Sequence, residues 1–353
     1  MAEPLRGYVA ASSLGLGHAA RCVAIAQELG RRHRDAELLF LAGSPALDLA
    51  VANGFDAMPL PPTPPWRHRD GAIVEMDRWY VDYLRYLRVA RRFLRREADW
   101  SHYRFLISDS ELASASEALR NGVPTVLILH RIGQWFATRG LGRTLEAVGN
   151  RWFASLARKA DLILALEPGV EGPNVRYVAP IVRPASKPRE QLREDFVFLK
   201  KTILVAPGGT DLGGFLVERA VRAFRNLQME DAQLVVATGP SLSIPKDWGI
   251  HNYGFLPNLQ DYVAAADLVI TLAGKGIPFE ALAAGTPVIA IPAGNHPEQE
   301  ANVELAGLDY TFADADRLEE LIPKLLAQGR WPPRETGLVA AVDAIEKVLT
   351  RTR

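Results

Sequence analysis

Residues 270–302 read ITLAGKGIPFEALAAGTPVIAIPAGNHPEQEAN, and the fold follows from them. Val269 to Thr271 is an apolar, β-branched run, the composition of a strand. Ala273-Gly274-Lys275-Gly276 is too small and flexible for anything but a tight turn. Pro278 fits the first turn of a helix, where its missing N–H costs nothing. Gly285 ends that helix and Pro287 follows it. Val288 to Ile291 is the next buried strand, and a loop carrying Glu298, Gln299, Glu300 and Asn302 completes the stretch. Strand, glycine turn, helix and strand form the repeating unit of an α/β fold with a parallel sheet.

A glycine turn between strand and helix leaves backbone N–H groups aimed above the helix start, which makes an anion site, most often for phosphate. Glu280 lies one turn into this helix. It reads either as a carboxylate that accepts two ribose hydroxyls or as a cap on its own helix. Pro292 and the Gln299/Asn302 pair add polar groups after the neighbouring strand, where ligands of open α/β sheets bind.

Gly274, Gly276, Glu280, Gly285, Pro287, Pro292, Gln299 and Asn302 follow a known pattern. The stretch resembles the nucleotide-sugar-binding half of the GT-B glycosyltransferases. It is close to the family that adds N-acetylglucosamine to lipid-linked muramyl peptide, and to the UDP-glycosyltransferases. The resemblance implies Glu280 on the ribose, the turn Gly274–Lys275–Gly276 on the diphosphate, and Gln299 near the sugar. Ile277, Glu298 and Asn302 belong to the same expected donor site. Ile277 stands where the family often has Ser or Thr, Leu272 where it often has His, and Pro278 removes a further donor; Lys275 is expected to compensate as a point charge.

The chain has 353 residues, enough for two ordinary domains, and 48% of them are hydrophobic, so sizeable cores are expected and disorder is not. Lys+Arg and Asp+Glu both number 41, so the overall charge gives no argument for nucleic acid. One cysteine, Cys22, excludes an internal disulfide and a cysteine-based zinc cluster. The opening MAEPLRGYVAASS has no long apolar core and does not read as a signal peptide, and no run is long enough to span a membrane. The expected location is cytoplasmic, at the inner membrane surface.

The amino-terminal half opens with a strand, Gly7 to Ser12, followed by Ser13-Leu14-Gly15-Leu16-Gly17-His18 and then Cys22, Ile25, Ala26 and Leu29 at helical spacing. This is again strand, glycine turn, helix. His18 falls at the helix start with Arg21 one turn on, a placement that suits a general base; capping or packing is the plainer reading. The segment is similar to the opening of GT-B proteins with a Gly-x-Gly-His-x-x-Arg signature, which makes Gly15, Gly17 and Arg21 expected substrate contacts. It also resembles the nucleotide-sugar hydrolase family of pseudaminic acid synthesis, in which the matching His is catalytic.

Further along, Pro59 to Trp66 is too proline-rich for regular structure and continues as Arg67-His68-Arg69-Asp70-Gly71, read together as a stiff surface loop. Met76 to Ala98 is a long helix whose arginines read as a solvated face or as contact with an anionic lipid surface. A strand from Phe105 to Ser108 leads into Asp109, which is expected to orient His18, to act as base itself or, with Ser110, to cap the next helix; a second strand, Val123 to Leu129, ends at His130-Arg131 and brings further polar groups to the same carboxyl edge as His18. Residues 179–188, with three prolines, read as the interdomain linker. The GT-B resemblance implies that Gly209 and Thr210, in a glycine-rich loop after the strand Lys201–Ala206, and Phe255, after a strand ending at Tyr253, are ligand contacts, Phe255 by stacking on the base. Asp314-Ala315-Asp316 spells the Asp-x-Asp of metal-dependent transferases but stands where a helix needs acidic first-turn residues, so no metal is assigned to it.

The expectation is therefore an α/β chain of two Rossmann-like domains facing across a cleft, the GT-B arrangement. Residues 1–182 form the acceptor-side domain, 183–335 the nucleotide-sugar domain, and 336–353 a helix that packs back on the first. The leading function is metal-independent, inverting transfer of a sugar from a nucleotide-diphosphate donor, a UDP-sugar in the first instance. The acceptor is lipid-linked or a small glycoside, His18 and Asp109 are catalytic, and no cofactor is needed. Two alternatives are hydrolysis of the nucleotide-sugar by a water that His18 activates and non-catalytic nucleotide-sugar binding.

Overall fold

The computed structural model describes residues 4–130, 140–168, 172–245 and 250–351. It begins with β1 (Arg6–Ala11), α1 (Gly17–Arg32), β2 (Glu37–Ala42), α2 (Ala46–Ala52) and β3 (Ala57–Pro59). A short antiparallel hairpin follows, β4 (His68–Arg69) and β5 (Ala72–Ile73), and then α3 (Met76–Glu97). Next come β6 (Leu106–Asp109), α4 (Leu112–Arg120), β7 (Thr125–Leu129), α5 (Gly140–Ala157), β8 (Leu162–Ala165) and β9 (Val175–Tyr177). The remainder runs α6 (Arg189–Asp195), β10 (Lys201–Val205), α7 (Gly214–Leu227), β11 (Ala232–Val236), β12 (His251–Asn252) and α8 (Leu259–Ala265). It ends with β13 (Leu268–Leu272), α9 (Ile277–Ala284), β14 (Val288–Ile291), α10 (Pro297–Leu305), α11 (Leu318–Gln328) and α12 (Leu338–Arg351).

Two compact units result. The first holds Met1–Pro65, Glu75–Ile181 and Thr336–Arg353; the second holds Trp66–Val74 and Val182–Glu335. The first is built on a parallel sheet ordered β3-β2-β1-β6-β7-β8-β9. Its strands alternate between two cores, as a pleated strand must. Ile107, Val126, Ile128 and Leu164 meet Ile25 and Leu29 of α1 and Val342 and Ile345 of α12. Leu106, Leu127, Leu129 and Ile163 meet Leu87, Ala90 and Leu94 of α3 and Ala113, Ala115 and Ala118 of α4. With both faces covered, β7 is buried throughout as Thr-Val-Leu-Ile-Leu, the continuous apolar run of a central parallel strand.

The second unit has a parallel sheet ordered β12-β11-β10-β13-β14. One face packs on α7 and α11 through Leu216, Val217, Leu321 and Ile322. The other packs on α8 and α9 through Val263, Phe279 and Leu282. Pro278 stands in the first turn of α9, and Gly285 ends that helix at φ +70°. A Cβ on Gly285 would also lie 2.4 Å from the Trp331 carbonyl oxygen, so conformation and space both require glycine there.

Two expectations are corrected. Residues 297–305 are helix, not loop: Pro297 opens α10 and the His296 side chain caps it by accepting from the Gln299 amide. Only Ala301, Val303 and Leu305 are apolar there, too few to show a helical period. The run after Trp66 is not an open loop either. Asp70 and Gly71, at φ +49° and +79°, form a two-residue turn that pairs β4 with β5.

Candidate active site

Both sheets reverse their strand order beside their first strand, and open α/β sheets bind ligands at that point, beyond the carboxyl ends. In the first unit the reversal lies between β1 and β6, where Ala11 pairs with Asp109. Gly15 turns the chain at φ +85° after Ser12 and Ser13, and α1 begins at Gly17 with no side chain capping it. His18 therefore sits in the first turn of α1, directly above the end of β6.

Asp109 is fully buried and is the hub of the cluster. Its Oδ2 accepts from Arg21 Nε at 2.7 Å, and its Oδ1 takes Arg21 Nη2 at 3.1 Å and His18 Nδ1 at 2.7 Å. Arg21 Nη2 also approaches His18 Nδ1 at 3.0 Å, but guanidinium and carboxylate make opposite demands on that nitrogen. The carboxylate bond is shorter and charge-assisted, so Nδ1 carries the proton and donates it to Asp109. In the neutral ring Nε2 then keeps its lone pair, the form a general base requires. Burial pushes the Asp109 carboxyl up, but Arg21 and then His18 more than offset this and hold it below the ordinary carboxylate range.

His130, after β7, accepts from Arg21 Nη2 at 3.1 Å through Nε2. His18, Asp109 and His130 thus offer ligand atoms within 4.8 Å of one another, a spacing that would suit a metal ion. The Arg21 guanidinium reaches all three, so a fixed organic cation already stands among them. The donor set does not fit a second cation.

In the second unit the reversal lies between β10 and β13. The turn after β13 is braced from α10: Asn302 Nδ2 donates to the Ala273 carbonyl at 2.9 Å, Lys275 Nζ donates to Asn302 Oδ1 at 2.5 Å, and Gln299 Oε1 accepts from the Ala293 amide at 2.8 Å. No side chain caps α9. Pro278 has no N–H, and the amides of Phe279 and Glu280 bond back to the Gly276 carbonyl. The amides of Gly276 and Ile277 remain as open donors at the helix start.

Glu280 does not cap its helix. It is 4% exposed, and its Oε1 accepts from Arg183 Nε at 3.0 Å. Arg183 is held in turn by the Pro257 carbonyl, 2.7 Å from Nη1. Glu280 Oε2 is buried with no partner. A carboxylate oxygen withdrawn from water without a hydrogen bond is costly.

Residues 202–330 match the glycosyltransferase family 28 C-terminal domain. The chain is 26% identical over 322 residues to a UDP-N-acetylglucosamine--N-acetylmuramyl-(pentapeptide) pyrophosphoryl-undecaprenol N-acetylglucosamine transferase of Clavibacter michiganensis, covering 88% of this chain and 83% of that one. It is 25% identical over 312 residues to an uncharacterized glycosyltransferase of Methanosarcina acetivorans, with 82% and 78% covered. Among solved structures it is similar to the glycotransferase of kitacinnamycin, with a TM-score of 0.63, 18% identity, and 99% and 100% of the two chains covered. MurG of Acinetobacter baumannii gives a TM-score of 0.56 at 16% identity, with 96% and 98% covered. The chain is a glycosyltransferase of the GT-B fold. Its two units are the Rossmann-like halves of that fold.

In this glycosyltransferase the expected site residues form two groups. His18, Arg21, Asp109, Gly15 and Gly17 converge on the first unit's reversal point. Gly274, Lys275, Gly276, Ile277, Glu280, Gln299 and Asn302 converge on the second unit's. Gly209, whose carbonyl accepts from Ser241 Oγ at 3.1 Å, and Thr210 follow β10. Phe255, half-buried, follows Gly254, and Glu298 lies in the first turn of α10.

Several expected roles change. Arg21 is 2% exposed and spends its donors on Asp109 and His130, so it positions other groups instead of touching substrate. Asp109 is ion-paired and enclosed, which removes it as a base and leaves it as the orienting group. Neither Asp109 nor Ser110 caps α4; Glu111 does, accepting from the Ser114 amide at 2.6 Å and the Ala113 amide at 3.3 Å. Lys275 and Asn302, 5% and 2% exposed, brace the turn from within, and the Ile277 side chain packs into the core and leaves only its amide outward. Asp314 belongs to a capping box with Thr311. The long helix is not simply a solvated arginine face: Arg91 and Arg95 both bond to buried Glu117. Arg131 lies outside the described residues.

Sequence reasoning missed Arg183 and Thr63, while His130 stands at the strand end where the sequence placed it. Thr63 clamps the first glycine turn, donating its amide to Ser13 Oγ at 2.7 Å. A lone threonine among prolines and an arginine in a linker carry no local signal of such roles.

Proposed function

We propose that the enzyme transfers a sugar from a nucleotide-diphosphate donor, a UDP-sugar first among them, to an acceptor hydroxyl, without a metal ion and with inversion at the anomeric carbon. The second unit, residues 182–335 with the hairpin, binds the donor, and the first unit supplies the base. The observation that carries the reading is Glu280 Oε2, buried and unpartnered one turn above a glycine turn. A ribose hydroxyl is the donor this oxygen lacks, and the Gly276 and Ile277 amides suit the attached phosphate. Gln299 and Glu298 lie on the sugar side, and Phe255 stacks on the base.

In the reaction, His18 Nε2 takes the acceptor's hydroxyl proton as the oxygen attacks the anomeric carbon. The bond to the diphosphate oxygen breaks, and the turn's amides receive the negative charge of the leaving group. Attack opposite the leaving group inverts the centre. The acceptor proposed is lipid-linked, of the kind named for the Clavibacter relative, a pyrophosphoryl-undecaprenol. Peripheral membrane contact through α3 agrees with this: Leu84 and Val89, 53% and 55% exposed, stand among Arg88, Arg92 and Arg96. Among the described residues no helix is long and apolar enough to cross a membrane.

The test is a panel of UDP, GDP and TDP sugars scored by thermal protection, then by turnover with and without lipid-linked and small glycoside acceptors, in EDTA. A ligand at one hundred times its Kd stabilises by about 2.7 kcal/mol, well within reach of a melt. Glu280→Gln should abolish the protection, and His18→Ala should abolish turnover while leaving protection intact. Donor consumption at full rate without acceptor would replace transfer by hydrolysis. Unchanged turnover in His18→Ala would remove the assigned base.

A further inference from the structure

The hairpin Trp66–Val74 belongs to the second unit, and its docking places it at the donor site proposed above, on which this inference rests. At one end His68 Nε2 lies 3.1 Å from Asp211 Oδ1, on the loop after β10. Gly71 sits against Phe215 of α7, where a Cβ would come within 2.4 Å of the ring. At the other end the Ile73 amide donates to the Gly294 carbonyl at 2.9 Å, and the Gly294 amide donates to the Gly71 carbonyl at 3.0 Å, on the loop after β14. Asn295 Nδ2 adds a bond to the Ile73 carbonyl. The sheet order is β10-β13-β14, so a segment fastened to the loops after β10 and β14 straddles the end of β13 between them. That end is the glycine turn 273–276.

The strap carries Arg67 and Arg69, and among the described residues the cations nearest the turn beneath it are engaged within the chain. Lys275 is enclosed and bonded to Asn302, and Arg183 is enclosed and bonded to Glu280. Arg69 is exposed. It pairs with Ala72 across the hairpin and so shares its face, and Ala72 is the residue packed against Gly294. Neighbouring strands lie about 4.8 Å apart, so the turn after β13 is within the span of an arginine side chain from there. His68 meanwhile meets the Asp211 carboxylate at the far end of the strap.

We propose that Arg69 is a donor-binding residue: its guanidinium pairs with the diphosphate of the nucleotide-sugar above the Gly274–Gly276 turn, the role that Lys275 is too enclosed to fill. Arg69 thereby neutralises the leaving group and adds the fork geometry that suits phosphate oxygens.

Calorimetric titration of the full chain with UDP, GDP, TDP and uridine tests this. Arg69→Ala should weaken the bound diphosphate about tenfold, leave uridine unchanged and flatten the salt dependence. Arg69→Lys should recover most of the loss, which a merely structural role for the side chain would not produce. Undiminished diphosphate affinity in Arg69→Ala, with Glu280→Gln still abolishing it, overturns the role of Arg69 and spares the donor site. Failure of the native chain to bind any of the three diphosphates overturns both.

Discussion

Asp109→Asn changes one atom at the centre of the first cluster, and its consequences follow from the contacts. The amide can keep Arg21 Nε satisfied only by placing its oxygen where Oδ2 stands. Its NH2 then occupies the Oδ1 position, 2.7 Å from His18 Nδ1. An amide there donates, so Nδ1 must accept, and the ring proton moves to Nε2, where the base was needed. The opposite rotamer keeps the histidine tautomer but turns NH2 on the Arg21 guanidinium. Wrong-tautomer losses in His–Asp pairs run to about 10⁴ in kcat, equal to about 5 kcal/mol of barrier. Either rotamer leaves a buried guanidinium without its counter-charge, a defect of about 3–5 kcal/mol in stability. The expected result is a kcat lower by about 10³–10⁴ with unchanged donor affinity and a clearly lowered Tm. The assay is acceptor-dependent release of the nucleoside diphosphate, with donor binding and thermal melts measured on the same samples. The sign with pH is fixed as well. Because the folded Asp109 pKa is depressed, its contribution is complete above the unfolded value of about 3.9 and is lost as pH falls through the folded one. The stability gap between native and variant chains should therefore narrow on acidification below about pH 4. A folded Asp109→Asn that keeps kcat within about threefold would refute the orienting role.

Two further substitutions probe the scaffold. Ile345→Ala removes a fully buried side chain from the core that α12 shares with Ile25, Leu29 and Ile128, and should cost about 2–5 kcal/mol in urea unfolding, with donor protection retained. Gly71→Ala forces a Cβ both into the Phe215 ring and onto a backbone at φ +79°, so amide exchange in residues 66–74 should accelerate while Tm shifts little.

What was legible in the sequence was local. The stretch from Ile270 to Ile291 carries its own punctuation: an apolar strand, a glycine turn, Pro278 at a helix start, Gly285 at its end. The pairing of His18 with Asp109 spans 91 positions, yet topology gave access to it. A βαβ unit sets a second strand beside the first, and residues at both carboxyl ends meet. Contacts that topology does not dictate stayed hidden. Arg183 reaches Glu280 from a segment that reads only as a linker, and Lys275, which reads as an exposed point charge, turns inward to Asn302. α10 was missed because Glu-Gln-Glu-Ala-Asn has no apolar period, although Pro297 and the acidic first turn were the signals available. The hairpin was missed for a different reason: the prolines before it suggested irregular chain, and the Asp70-Gly71 turn signal was read as its continuation.

The two units use one local design, a carboxylate and an arginine at a reversal point, for opposite ends. Behind each carboxylate stands a guanidinium, Arg21 for Asp109 and Arg183 for Glu280, which offsets part of the cost of enclosing the charge. The difference lies in the remaining lone pairs. Both oxygens of Asp109 are engaged within the chain, so it can hold a histidine still but bind nothing further. Glu280 has one oxygen engaged and the other enclosed and unmet. An unmet buried acceptor costs about 1–3 kcal/mol, a cost that a donating ligand would relieve. On the reading proposed above, that cost becomes affinity when a ribose hydroxyl donates to Oε2, which is why the incomplete pair, and not the complete one, is proposed as the place where the donor binds.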